Sequence, residues 1–474
     1  MKHWVLVAVL VVLSELSLSD EPVLAPSFVI ILCDNLGYGD VGPYGSKLHR
    51  TPHLDRMARE GVLFTHFYAS AGVCTPSRAS LMTGCYAQRV GLGMTSPDGI
   101  VLRPVSPNGL HPNEVTIAEL LKTKGYSTAL IGKWHLGDQA PFLPMRQGFD
   151  SYFGIPYSDD MTADKRPQHW PPLPLLENET VLEAPVDRHE LTRRYTERAL
   201  EFIAANGKRP FFLLLAHAMP GSTPAPFAGR AFRGKSRNGP WGDAVEEIDW
   251  STGRILGRLR ELQLDRRTLV LWTSDNGAPV HPDSNERGSN GPLFGRGYTT
   301  AEGAFRVPAI FWWPDKVPAG RRASEMATMM DVFPTLAALT GTPLPDGRVL
   351  DGKDIRPLIF RAPGAESPHH AFYYYHGRQL QAVRSGPWKL FVPLANPVRV
   401  PHHQGKGPSP ARLFHLAADV GCQRDVAAGH PEVVARLLEQ ARRARETLGD
   451  ADRSGTEQRE AGRFDHPTPR VLVR

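Results

Sequence analysis

Cysteine is scarce: four occur in 474 residues, at Cys33, Cys74, Cys85 and Cys422. Four cysteines permit three pairings, but a chain of this length can build a core without a disulfide scaffold, so cysteine here is as apt for chemistry as for structure. Charge of one sign is scarce as well. Lys plus Arg number 55 against 49 Asp plus Glu, and the net +6 is spread with both signs interspersed and no basic run, which argues against a nucleic-acid partner. Internal repeats are lacking, and 41% hydrophobic with 22% charged residues excludes global disorder. Long apolar runs are also missing. The run Trp4 to Leu13 falls short of the roughly 20 residues a membrane-spanning helix needs. With Lys2 and His3 before it and Ser17 and Ser19 after it, residues 1–19 are expected to be a cleavable secretory signal. The expectation is therefore a secretory-pathway protein, lysosomal or extracellular, with no stable membrane insertion.

Glycine (44) and proline (43) are plentiful, which predicts many structured loops. Between them runs α/β grammar: a short β-branched or aromatic run, a polar turn, then a helical segment. Strands are expected at Phe28 to Leu32, Ser127 to Ile131, Pro210 to Leu215, Thr268 to Thr273 and Pro308 to Trp313, and their near-continuous apolar character suits a parallel sheet buried on both faces. Helices are expected at Thr116 to Lys124, Leu191 to Ala205, Asp243 to Leu262 and Asp331 to Leu339. From about Pro345 the character changes to strand-like Phe372 to Tyr375 and Ala382 to Phe391 and a helical Glu432 to Leu448. This predicts a main domain over residues 20–345, a smaller α+β domain over 346–450 and a loose tail over 451–474. Asn178-Glu179-Thr180 is a glycosylation sequon set in Pro-rich loop sequence.

Ligands in open α/β sheets collect at the carboxyl ends of strands. Asp34-Asn35 follows the first expected strand, Lys133 and His135 the second, His217 the third and Asp275-Asn276 the fourth. Each acid–amide pair taken alone is ordinary turn chemistry. Two such pairs at equivalent strand ends would make an oxygen-rich site for a hard cation, calcium or magnesium. Cys74 stands in Cys74-Thr75-Pro76-Ser77-Arg78, just ahead of a helical stretch from Arg78 to Met82, with Ser77 as the expected cap. Free amides at a helix start favour an anion, Arg78 adds a planar fork for a tetrahedral oxyanion, and a cysteine placed there is expected to be activated.

These residues carry a family resemblance. Cys74-Thr75-Pro76-Ser77-Arg78 followed by Leu81-Met82-Thr83-Gly84 resembles the sulfatase signature, whose cysteine is converted to formylglycine by a dedicated modifying enzyme. Gly37-Tyr38-Gly39-Asp40 with Tyr44-Gly45, Gly132-Lys133-Trp134-His135-Leu136-Gly137, Ile155-Pro156-Tyr157-Ser158 and Thr273-Ser274-Asp275-Asn276-Gly277 resemble further motifs of that family, as do Ala382-Val383-Arg384 and Trp388-Lys389-Leu390. The resemblance covers most of residues 27 to 450. It implies an alkaline-phosphatase-like fold, with a mostly parallel sheet between helices, and hydrolysis of aryl, sugar or glycolipid sulfates. It also implies one calcium ion held by Asp34, Asn35, Asp275 and Asn276 beside position 74. Hydrated formylglycine at position 74 would attack sulfur and later expel sulfate by elimination, which a thiol could not do. Arg78 and Lys133 would stabilise the aldehyde hydrate, His135 would help deprotonate it, and Ser158 would contact sulfate. The implied partners are a sulfated small molecule or glycan and the formylglycine-generating enzyme; a homodimer stays open.

Four positions depart from the pattern the resemblance carries. Asn35 stands for a second aspartate. Ala218 holds the place of a histidine that contacts the sulfate and the leaving group, with His217 one residue early and so expected to face the other side. Gly297 holds the place of a lysine, with Arg296 one residue early. Cys85 stands where an arginine is expected after Thr83-Gly84. An impaired secreted homologue that binds sulfated ligands without turnover is therefore the alternative to an active sulfatase. A two-metal phosphatase on the same fold and a thiol hydrolase using Cys74 with His135 are weaker rivals.

Overall fold

The computed structural model of the protein describes residues 25–280, 288–403 and 405–472, so the expected signal over residues 1–19 lies outside the described residues. Seven strands form the middle of an eleven-stranded sheet among the described residues. They are β1 (Ser27–Asp34), β2 (Val62–Tyr68), β3 (Ser127–Gly132), β4 (Ser151–Gly154), β5 (Phe211–Pro220), β6 (Thr268–Ser274) and β7 (Arg306–Trp312). Their spatial order is β2-β7-β6-β1-β5-β3-β4. The five from β6 to β4 run parallel. Every residue of β1 is buried because both faces are covered. Its side chains alternate between two cores, Phe28, Ile30 and Leu32 on one side and Val29, Ile31 and Cys33 on the other.

On the first face lie α1 (Cys74–Thr83) and the helix Val332–Thr340; on the second lie α2 (Leu191–Ala205) and α3 (Gly239–Glu261). The strand expected at Pro308 to Trp313 forms, but it is antiparallel to both β6 and β2, which corrects its place in a parallel set. The described residues 275–280 and 288–305 lie at the carboxyl ends of the strands, with the Gly277 amide bonded to the Ala304 carbonyl, so β7 starts from that end.

The smaller domain is a four-stranded antiparallel sheet, Phe372–His376, Gln379–Ser385, Trp388–Phe391 and Arg412–His415, with the helix Pro431–Leu448 packed on it. A buried charge group fastens it to the main domain. Glu302 receives Lys389 Nζ at 2.8 Å, Tyr374 OH at 2.7 Å and Tyr68 OH at 2.6 Å, and Arg384 hydrogen-bonds Tyr68.

The tail is not loose. Gly462–Arg463 pairs with Asn108–Gly109, Arg459 grips Glu114 with two bonds of 2.7 and 2.9 Å, and the Thr468 amide donates to Gln139 Oε1 at 2.9 Å. It lacks periodicity because single residues hold it, and their partners lie more than 300 positions earlier. No disulfide forms among the described residues: all four cysteines are free and buried. No described helix is long and apolar enough to cross a membrane.

Candidate active site

Three strand ends and one helix start meet in a buried cluster. Cys33 pairs with Ser274 across β1 and β6, so the residues that follow each strand emerge side by side. The backbone turns sharply there: Asn35 sits at φ 56° with its amide donating to Asp275 Oδ1 at 3.0 Å. From the neighbouring end of β3 come Lys133 and His135, whose amides donate to the carbonyls of Ala216 and Pro156. Asn35, His135 (φ 64°) and Tyr298 (φ 65°) all hold left-handed backbone, a conformation that non-glycine residues keep only where the surroundings impose it.

Asp34, Cys74 and Asp275 bring ligand atoms within 4.8 Å of one another, all buried. Lys133 Nζ lies 2.7 Å from Asp34 Oδ1 and 3.3 Å from Ser158 Oγ. Arg78 does not present its fork to an open anion position. Its Nε and Nη2 reach Asp275 Oδ2 (2.9 Å) and Asp34 Oδ1 (3.3 Å), and Nη1 donates to the Lys133 carbonyl (2.6 Å). Burial works to raise the Asp34 carboxyl, but Lys133 and Arg78 hold it below the usual carboxylate range. Asp275 is pushed up to about 7 by burial and by Asp34 beside it. Burial opposes the charge on Lys133, yet Asp34 outweighs it and keeps the ammonium.

Cys74 opens α1 itself, with Ser77 inside the helix and its hydroxyl donating to the Ala71 carbonyl at 2.9 Å; the cap expected at Ser77 is thus displaced. The expected activation of the thiol also fails. Burial and the nearby Asp34 carboxylate push its pKa well above the ordinary value, and the opposing pull of Lys133 is too small to reverse this. A thiol so placed is a poor nucleophile. Its Sγ lies 3.7 Å from Asn35 Oδ1.

His135 is buried and stays neutral, because burial and Lys133 both push its pKa down. Its Nε2 lies 2.9 Å from the Leu102 carbonyl, which can only accept, so Nε2 carries the proton and Nδ1 keeps a lone pair. That Nδ1 has no partner, and neither do Asp34 Oδ2 and Asn276 Oδ1. Buried oxygens without hydrogen bonds are costly unless something fills the space between them. The carboxylate and amide oxygens present are the donors a hard cation takes, so this site fits calcium.

Two expected site residues are elsewhere. His217 is buried among the helices, with Nε2 3.3 Å from Ser251 Oγ of α3, and burial lowers its pKa to about 4. It continues the alternation of Phe211, Leu213 and Leu215 toward α2 and α3, so its ring packs on that face. Arg296 is exposed on a loop whose next residues lie against the cluster, with the Gly297 amide bonded to the Ala278 carbonyl. Tyr298, Ser222 and Asp159 belong to the cluster and were not expected. Tyr298 OH lies 2.6 Å from Ser222 Oγ, which accepts from Asn35 Nδ2 at 2.9 Å. Asp159 was discoverable only as the neighbour of Ser158. Against Cys85 Sγ, where an arginine was expected, lies Arg459 Nη2 of the tail at 3.6 Å. Asn178 is exposed between the strands Leu175–Glu177 and Thr180–Glu183, its Oδ1 accepting the Tyr152 amide at 3.0 Å.

A mostly parallel sheet with a buried Cys-Arg-Lys-His cluster and two acid–amide pairs at its carboxyl edge defines a hydrolase of the alkaline-phosphatase-like class. Residues 26–342 match the Sulfatase family and residues 367–463 the C-terminal region of aryl-sulfatase. The chain is 38% identical to steryl-sulfatase of Mus musculus over 444 residues, covering 77% of this chain and 70% of that one. It is 39% identical to N-acetylgalactosamine-6-sulfatase of Canis lupus familiaris over 384 residues, covering 77% and 71%. A sulfatase structure from Pseudoalteromonas sp. superposes with a TM-score of 0.77 at 25% identity, covering 88% and 89%. The chain belongs to the sulfatase family.

Proposed function

We propose that the protein hydrolyses sulfate esters of aryl, sugar or glycolipid alcohols, using formylglycine made from Cys74 by a modifying enzyme and one calcium ion held by Asp34, Asn35, Asp275 and Asn276. The observation that carries the reading is the convergence of unpartnered Asp34 Oδ2 and Asn276 Oδ1 on the buried group that brings Asp34, Cys74 and Asp275 together. When bound, the ion supplies charge that draws sulfate oxygens and eases loss of a proton from a hydroxyl at position 74.

The remaining work falls to this chain's side chains. Lys133 Nζ and Ser158 Oγ, 3.3 Å apart, form a donor pair for one sulfate oxygen. His135 Nδ1 offers the lone pair that takes the proton from the attacking hydroxyl, since Nε2–H is committed to Leu102. Arg78 fixes Asp34 and Asp275 at the spacing an ion requires and is a positioning residue. Residence in the secretory pathway, lysosomal or extracellular, and a glycan on Asn178 complete the reading.

Protein made in cells that carry the modifying enzyme should turn over a chromogenic aryl sulfate, and Cys74→Ala should not. The peptide containing residue 74 should have the mass of an aldehyde and not of a thiol. Equal rates from both proteins, or none from either, defeat the catalytic reading; binding of a sulfated ligand without turnover would favour the impaired homologue.

A further inference from the structure

Asp159 follows Ser158 directly, is 1% exposed, and has no hydrogen-bond partner on either carboxyl oxygen. The orphan is aimed at the site. At Gly221, just past β5, a methyl group in place of the α-hydrogen would lie 3.0 Å from Asp159 Oδ1 and 3.7 Å from Asp34 Oδ2. Gly221 adopts φ 77°, donates its amide to the Asp34 carbonyl at 3.0 Å and has no room for a side chain, so the two carboxyls come together around it. On the reading above Asp34 serves the ion beside Lys133 and Ser158, and Asp159 is the neighbouring carboxyl left without a partner.

Sulfate-ester oxygens carry no hydrogen to donate, so the sulfate cannot satisfy two carboxyl oxygens that lack a donor. The partner has to be a donor on the alcohol portion of the ester. We propose that Asp159 is a specificity-determining residue that hydrogen-bonds a hydroxyl of the substrate's alcohol portion, which selects sulfated sugars over simple aryl sulfates. The inference rests on the sulfatase reading above and narrows its substrate class. A polyhydroxylated alcohol satisfies both buried oxygens, whereas an alcohol without hydroxyls leaves them unpaired, and a site built to bond a hydroxyl discriminates strongly against analogues that lack it.

The test compares wild type, Asp159→Ala and Asp159→Asn on 4-nitrophenyl sulfate and on N-acetylgalactosamine 6-sulfate. The expected result is a fall of about 10–100-fold in kcat/KM for Asp159→Ala on the sugar sulfate, carried mainly by KM, with less than about threefold change on the aryl sulfate and partial rescue by Asn. An equal fall on both substrates, no fall on the sugar sulfate, or a loss of calcium affinity in Asp159→Asn by calorimetry would overturn it; the last would make Asp159 an ion ligand. If wild type turns over neither substrate, the sulfatase reading fails, and calorimetric binding of the sugar sulfate then decides this proposal alone. Binding about tenfold weaker to Asp159→Ala than to wild type supports it, and equal or absent binding refutes it.

Discussion

Replacing Asn35 by aspartate should move metal-free and calcium-loaded stability in opposite directions. Asn35 Oδ1 accepts from Asn276 Nδ2 at 2.5 Å and lies 3.7 Å from Cys74 Sγ, so a carboxylate there would join a group whose donor atoms already crowd within 4.8 Å. At that spacing and an effective dielectric constant of about 20, each new like-charge pair costs about 3.5 kcal/mol. Arg78, which bonds Asp275 and Asp34, and Lys133, which bonds Asp34, offset much of that. A net loss of about 1–3 kcal/mol in the metal-free protein is expected. With an ion bound, the added charge becomes attractive and calcium affinity should rise about 10–100-fold, by the rule that 1.4 kcal/mol is tenfold. Thermal unfolding of wild type and Asn35→Asp, with chelator and across a calcium titration, gives both quantities without any turnover assay. A variant as stable as wild type in chelator, or one whose calcium affinity is unchanged, refutes the placement of the ion beside Asn35.

Glu302 makes a pH-dependent contribution: burial works to raise its carboxyl, but Lys389 and Arg384 hold it at about 2. Burial at the same time pulls Lys389 down, so Glu302 is the group whose titration sets the effect. A depressed carboxyl stabilises the fold above its unfolded pKa near 4.5 and loses that contribution as pH falls toward 2, so the stability gap between wild type and Glu302→Gln should narrow by about 2 kcal/mol from pH 5.5 to 3. A gap that stays constant in denaturant titrations across that range contradicts the assignment. Arg459→Ala should loosen the tail from the main domain at a cost of about 1–2 kcal/mol, since buried Glu114 loses two bonds and keeps only Arg348 at 3.2 Å, and should raise hydrogen exchange over residues 456–470; unchanged exchange there would mean the tail is held by other contacts.

The residues that sequence reading placed well are those whose position follows from a strand ending. Asp34 and Asp275 were recognisable because an apolar run stops and an acid–amide pair follows, and the Cys33–Ser274 register then puts the two together. Other placements follow partly from local alternation and partly from contacts no local window records. His217 continues the alternation of Phe211, Leu213 and Leu215 and so faces α3 and Ser251, as its one-residue offset from Ala218 implies. The thiol of Cys74 follows the burial and charge around it, against the influence of the helix it starts. Arg459 reaches Cys85 from 374 positions away, so a departure at one site is met by a side chain of a segment that shows no pattern of its own.

The departures from the family pattern are unevenly distributed, and this bears on whether the site works. Asp34, Arg78, Lys133 and Asp275 are all buried at 3% exposure or less and form a closed ion network that costs desolvation energy whether or not a ligand is present. A fold with no use for these charges would be more stable with apolar residues of similar volume in their places. All four are nevertheless present. Of the four departures, Asn35 puts an amide oxygen for a carboxylate among the proposed ion ligands, Cys85 lies against Arg459, and at Ala218 and Gly297 the neighbouring His217 stays in the core and Arg296 on an exposed loop. The charged network is kept while its surroundings change, and on the function proposed above inorganic sulfate should bind calcium-loaded wild type and bind at least tenfold more weakly to Lys133→Ala. Equal sulfate affinity in the two proteins would place the anion elsewhere.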